Sequence, residues 1–240
     1  MTTLGPLAVA LLATAVAVPS PAGAASRPTH RATARHVTLD GVPVTLRPHT
    51  RQVVTVDHTS GFHAHIAYWV LRGDRWQRLY EVNDGRIGYG GLVAPRRRHQ
   101  GTGTTPLGTV RLISAFGSHA RGASWDLPYR RIHTGDYWVE DNGSRYYNRY
   151  RNKAQGGFRW WLPASAVDSS ERLRDFPVQY EYSIVTSYNR AQVRHRGAGI
   201  FLHVNGSGAT AGCVSAPRDF VKRLMWRLDP DRAPVLAVAR

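Results

Sequence analysis

The stretch Gly199-Ile200-Phe201-Leu202-His203-Val204-Asn205-Gly206-Ser207-Gly208-Ala209-Thr210-Ala211-Gly212-Cys213-Val214 holds the densest information in the chain. Its first part is apolar and β-branched or aromatic, which predicts a strand over Gly199 to Val204 that ends beside His203. Asn205 to Gly208 is a loop by composition. Gly212 lets the backbone come close to a neighbouring group, and Cys213 follows it. A thiol becomes an effective nucleophile when an imidazole takes its proton and backbone amides hold the oxyanion formed on attack. Cys213 is therefore the candidate nucleophile and His203 its candidate base, if a turn brings them together.

Downstream, the period changes. Phe220, Val221, Leu224, Met225 and Leu228 recur at helical spacing, with Pro217 suited to the first turn and Asp229-Pro230 as a stop. A last strand is expected over Pro234 to Val238. Upstream, Tyr180 to Tyr188 and Thr109 to Ile113 predict further strands. Gln52 to Val56 and Ile66 to Leu71, punctuated by Gly73-Asp74 and Asp84-Gly85, predict strands of an antiparallel sheet. The segment Tyr129 to Ser170 is polar and rich in aromatic residues, consistent with loops and a hairpin or two that wall a cleft. The fold class expected is mainly β with one C-terminal helix, the cysteine lying between strand and helix.

Residues 1–25 form an apolar run closed by Ala22-Gly23-Ala24-Ala25, the pattern of a cleaved export signal. No lysine or arginine precedes Leu4, so an uncut membrane anchor is the other reading, and no later segment is apolar enough to span a bilayer. Residues 26–36 read as a flexible basic lead and 37–240 as one domain. A single cysteine in an exported chain cannot form an internal disulfide and is either inert or kept for its reactivity. The formal net charge is +16, carried almost wholly by arginine, since Lys153 and Lys222 are the only lysines. For an exported protein this field favours anionic wall polymers and lipid head groups, and no nucleic-acid motif accompanies it. His63-Ala64-His65 alternates as metal ligands do, but without a third ligand no metal or other cofactor is expected.

These blocks resemble the YkuD-type L,D-transpeptidase family in a divergent branch. The likeness rests on Ile200 to His203, on Thr210-Ala211-Gly212-Cys213-Val214, and on the glycine-rich Gly101 to Thr109 with Ala115-Phe116-Gly117 behind it. Trp138-Val139-Glu140-Asp141 followed by Ser144 to Asn148 adds a further match. The resemblance implies a β-sandwich-like catalytic domain and a thioester acyl-enzyme formed on peptidoglycan stem peptides. Cys213 would attack the bond between the third and fourth stem residues, with His203 as base. An amine acceptor would give a cross-link, and water would make the enzyme an L,D-carboxypeptidase.

Backbone amides of Gly212 and Cys213 are the oxyanion candidates, and Thr210, Ala211, Ser215 and Asn189 are candidates for the substrate cleft. The family commonly shows Ser-His-Gly-Cys with an arginine two positions later, whereas this chain has Thr210-Ala211-Gly212-Cys213 and Ser215. The second histidine and that arginine are missing. Val204 stands where a polar neighbour often orients the histidine, which leaves a backbone carbonyl as the other support for the imidazole. The alternative function is a catalytically degenerate, basic wall-binding protein, for which Cys213 would be dispensable.

Overall fold

A computed structural model describes residues 1, 2 and 35–240. The stretch read as an export signal, apart from residues 1 and 2, and nearly all of the basic lead lie outside the described residues. Among the described residues, sixteen strands and one α-helix follow in order. The first group is β1 (Arg35–Leu39), β2 (Val42–Leu46), β3 (Gln52–Ser60), β4 (His63–Arg72), β5 (Arg75–Arg86), β6 (Leu92–Val93), β7 (Thr105–Pro106) and β8 (Gly108–Gly117). The second is β9 (Tyr129–Arg131), β10 (Asp136–Val139), β11 (Arg149–Asn152), β12 (Glu171–Arg172), β13 (Tyr182–Thr186), β14 (Phe201–Val204) and β15 (Val214–Ala216), then α1 (Arg218–Arg227) and β16 (Val235–Ala239). Arg35 and His36, the last residues of the stretch read as a basic lead, belong to β1.

The main sheet runs β13-β14-β15-β5-β4-β3-β16-β8-β9, and a further antiparallel pairing of β8 with β13 closes it. The result is an eight-stranded mixed barrel with β9 hanging from β8. Closure removes the two free edges that an open sheet would expose. Most pairs are antiparallel, as expected for β3 to β5, but β16 runs parallel to β3 and β14 parallel to β15.

Side chains alternate across each strand, and this divides the core. Val54, Ile66, Ile184, Leu202 and Val214 point inward, where α1 adds Phe220, Val221, Leu224 and Met225. On the outer face, the β1–β2 hairpin covers Val53, Trp69 and Ala237. Another part of that outer face is covered by the middle of the chain. There Trp138, Tyr147, Leu173 and Tyr180 pack on Phe116, Val185, Phe201 and Cys213. The middle segment thus forms the expected hairpin, β10 with β11, to which β12 adds a third strand. Among the described residues, no helix is long and apolar enough to cross a membrane.

Leu224 is fully buried against the barrel interior, whereas Trp226 on the opposite side of α1 is half exposed. Leu224→Ala should lower the unfolding free energy in urea by about 2–5 kcal/mol. Trp226→Ala should change it by about 0.5 kcal/mol or less.

Candidate active site

The pairing of β14 with β15 positions the reactive side chains. Their parallel register sets Leu202 beside Val214 and His203 beside Ser215. Leu202, Val204, Val214 and Ala216 therefore face the interior, while Phe201, His203, Cys213 and Ser215 share the outer face. The connection over residues 205–213 is not a hairpin. It detours to the end of β5, where Thr210 N donates to Ile87 O and Tyr89 N donates to Thr210 O. Arg86 Nη1 fixes the same loop through Gly206 O at 2.7 Å, and Asn205 Nδ2 holds Asp84 O at 2.7 Å.

His203 and Cys213 both line one cleft of about 570 Å³, walled by Glu140, Glu171 and Tyr180. The imidazole is buried, and its Nδ1 lies 2.8 Å from Val204 O. A carbonyl opposite Nδ1 requires Nδ1 to carry the hydrogen, which leaves Nε2 with a free lone pair. Burial pulls the imidazole pKa down to about 4, against the opposing effect of the Val204 hydrogen bond. Tyr180 packs edge-on to the ring, with centroids 5.5 Å apart, and donates its hydroxyl to Glu171 Oε1 at 2.6 Å.

The thiol rests on backbone. Cys213 Sγ donates to Gly199 O at 3.0 Å and accepts from Phe201 N at 3.3 Å. Burial pushes its pKa well above the usual thiol range, and the Glu171 carboxylate adds to the rise. Burial likewise raises both Glu140 and Glu171; the Glu171 carboxylate adds to the rise at Glu140, and the Tyr180 hydrogen bond opposes the rise at Glu171. At neutral pH the resting pair is thus a neutral thiol and a neutral imidazole.

The remaining sequence candidates fall in different places. Gly212 N donates to Thr210 Oγ1 at 3.1 Å, and Thr210 Oγ1 donates to Cys213 O at 2.6 Å, so Thr210 shapes the turn that presents the cysteine. Ala211 is exposed on the cleft wall. Ser215 is fully buried outside the cleft and donates to Asn205 Oδ1 at 2.7 Å. Asn189 is a turn residue with φ 47°, and its amide holds Val193 O and Gly197 O, each at 2.9 Å. It does not line the cleft. His63 stacks on Phe62 and His65 bonds Glu81 Oε2. Among the described residues, no cluster of three or more His, Cys, Asp or Glu side chains is arranged to hold a metal.

Arg98, like Glu171 and Tyr180, is a cleft residue that the sequence does not reveal. It is only 4% exposed, and it donates from Nε to Thr104 O at 2.7 Å and from Nη1 to Arg196 O at 3.1 Å. Its Nη2 flanks Gly212, where an added Cβ would stand 2.8 Å away, and Gly212 has φ 127°. A guanidinium therefore borders the cysteine turn although Ser215 occupies the motif position. It comes from a residue 115 positions earlier than Cys213, a separation that no local pattern reveals.

No protein-family model matches the sequence, and no curated protein matches it. Among solved structures, the helical cell shape determining protein Pgp2 from Campylobacter jejuni is similar at 12% identity and TM-score 0.42, covering 79% of this chain and 48% of that one. Bd1075 of Bdellovibrio bacteriovorus is similar at 15% identity and TM-score 0.38, again covering 79% and 48%. The chain spans about half the length of these solved chains. Likeness at this level bears on neither activity nor substrate.

The depressed histidine pKa has a thermodynamic consequence. Between pH 6.5 and about 4 the unfolded chain binds a proton at His203 that the folded chain refuses, so this residue's contribution to stability falls as pH is lowered through that window. In urea unfolding from pH 7 down to pH 4, His203→Gln should show a shallower acid-side loss than wild type. The divergence should reach at most about 3 kcal/mol. Parallel curves would place His203 in an open, solvated setting.

Proposed function

We propose that the protein is a cysteine-dependent acyltransferase of the L,D-transpeptidase type, acting outside the cytoplasm on peptidoglycan stem peptides. The observation that carries this reading is the shared outer face of β14 and β15, from which His203 and Cys213 enter one cleft. The motif resemblance around Cys213 supplies the substrate class.

In this mechanism, the acyl donor enters the cleft and the thiol leaves Gly199 O to turn toward Nε2 of His203. Sγ attacks the carbonyl carbon of the L,D bond as its proton passes to Nε2. Collapse of the tetrahedral intermediate breaks the C–N bond, and the imidazolium returns the proton to the departing amine of the terminal D-alanine. A thioester remains on Cys213. An acceptor amine or water, deprotonated by the same nitrogen, then attacks the thioester and regenerates the thiol. The Gly212 amide is already donated to Thr210 Oγ1, so the Cys213 amide is the better oxyanion donor of the two.

A neutral resting pair fits this order of events. A desolvated imidazole with a free Nε2 accepts the thiol proton only when negative charge can pass onto the substrate oxygen. The raised thiol pKa also protects a lone cysteine from oxidation outside the cell, because the thiolate is the form that reacts. The buried, backbone-bonded thiol equally suits the rival reading, a wall-binding protein on a degenerate catalytic fold.

Cys213→Ser and His203→Ala should each fold normally and lose at least about 1000-fold in D-alanine release from a stem tetrapeptide, as expected when a member of a nucleophile–base pair is removed. Release by Cys213→Ser at the wild-type rate would rule out the thiol mechanism and favour the binding protein.

A further inference from the structure

A second hollow of about 430 Å³ shares no lining residue with the thiol cleft. Its floor is apolar, built from Ile113, Phe116 and Val185, and its rim carries Arg130, Arg149 and Arg190. No aspartate or glutamate lines it. Some arginines of the fold meet carboxylates, such as Arg159 with Asp141 and Arg218 with Glu181, whereas others, such as Arg98 and Arg121, rest on backbone carbonyls. Among the described residues, none of the three rim arginines forms an ion pair. Arg149 is half-buried, its guanidinium held by Asn148 O at 2.8 Å and Arg190 O at 2.9 Å. Burial and the nearby Arg190 charge both lower its pKa, which marks a cation without its counter-charge.

The basic rim continues. A shallower hollow of about 290 Å³ shares Arg130 and Tyr150 with the first and adds Arg131 and His133. The one carboxylate there, Asp136, is already engaged, accepting from Tyr150 OH and His133 N at 2.7 Å each and from Asn152 Nδ2 at 2.9 Å. Two adjoining hollows joined by a common arginine suit a ligand whose negative charges repeat along a chain. Guanidinium groups pair well with phosphate oxygens. The apolar floor suits an aliphatic unit between charges.

Stacked bases fit less well. Arg130 covers the Tyr150 face at 5.3 Å and Arg98 covers Tyr188 at 5.4 Å, while Tyr129 packs edge-on to Trp125, and Trp138 packs edge-on to Phe201 and stacks on Phe116. The Tyr150 and Tyr188 faces are thus taken by guanidinium groups of the chain itself, where a nucleobase would stack.

We propose that these adjoining hollows form a binding track for a linear phosphodiester polymer with aliphatic repeat units. The track is independent of the thiol chemistry. It gives the protein a second hold on an anionic wall and converts a diffuse charge of +16 into a local site.

The test is fluorescence anisotropy of the full chain with a labelled oligo(glycerol phosphate) at fixed, near-physiological salt. The expected result is that Arg190→Gln weakens binding and that Arg130→Gln with Arg190→Gln weakens it by about tenfold or more. Arg72→Gln with Arg75→Gln, an equal charge loss at the exposed β4–β5 turn, should leave affinity nearly unchanged. Arg190 is exposed and its side chain is not needed for packing, so its single variant keeps the measurement readable if the double variant is unstable. Cys213→Ser should bind as wild type does, whether or not the acyltransferase reading holds.

Equal weakening by both arginine pairs would mean diffuse attraction and would overturn the track. So would competition by inorganic phosphate as strong as that of the oligomer at equal charge, or tighter binding of single-stranded DNA than of the polyol phosphate.

Discussion

The functional reading depends on the parallel register between β14 and β15. With Leu202 set beside Val214, every second residue of both strands is drawn into the barrel interior by hydrophobic burial, and the residues between must face outward. A slip of one residue would exchange the two sets in whichever strand moved. Were β15 the strand to slip, Cys213 would turn toward the interior and Val214 and Ala216 outward, leaving thiol and imidazole on opposite faces. The burial of Leu202, Val204, Val214 and Ala216 is thus what fixes the imidazole and the thiol on a common face.

The closed barrel makes this arrangement rigid, and the middle of the chain makes it a site. Without the β10–β11–β12 layer, the outer face of β14 would be an open surface and both groups would be hydrated. With the layer in place, Tyr180 leans on His203, and Glu171 and Glu140 wall the cleft in a poorly solvated setting. Desolvation then holds thiol and imidazole neutral, while Arg98 brings the one buried positive charge beside the cysteine turn. The same layer forms, on its other side, the arginine-rimmed hollow. One inserted segment thereby shapes two chemically distinct surfaces, one lined by carboxyl groups and one without them.

Much of this was legible in the sequence wherever the information is local. The period of Phe220 to Leu228 predicted α1 to within a residue or two, and the β-branched runs predicted β3, β4, β8 and β14. The step from His203 to Cys213 pointed to a shared site. Barrel closure was not legible, because the β8–β13 pairing joins segments some 70 residues apart with no signature of their register. Nor were Arg98, Glu171 and Tyr180, whose roles arise from long-range contacts. Asn189 and Ser215 illustrate the converse: the family resemblance implied cleft positions, with a turn residue as the other reading of Asn189, but a left-handed turn and an Asn205 partner engage both side chains.

The central claim is that the lone thiol can be acylated from the cleft. Intact-mass measurement after incubation with a carbapenem, a mimic of the acyl donor, tests it most directly. The account predicts one covalent adduct on the wild-type chain, none on Cys213→Ser, and slow formation on His203→Ala. An unmodified wild-type mass after prolonged incubation, or an adduct that persists on Cys213→Ser, would contradict it.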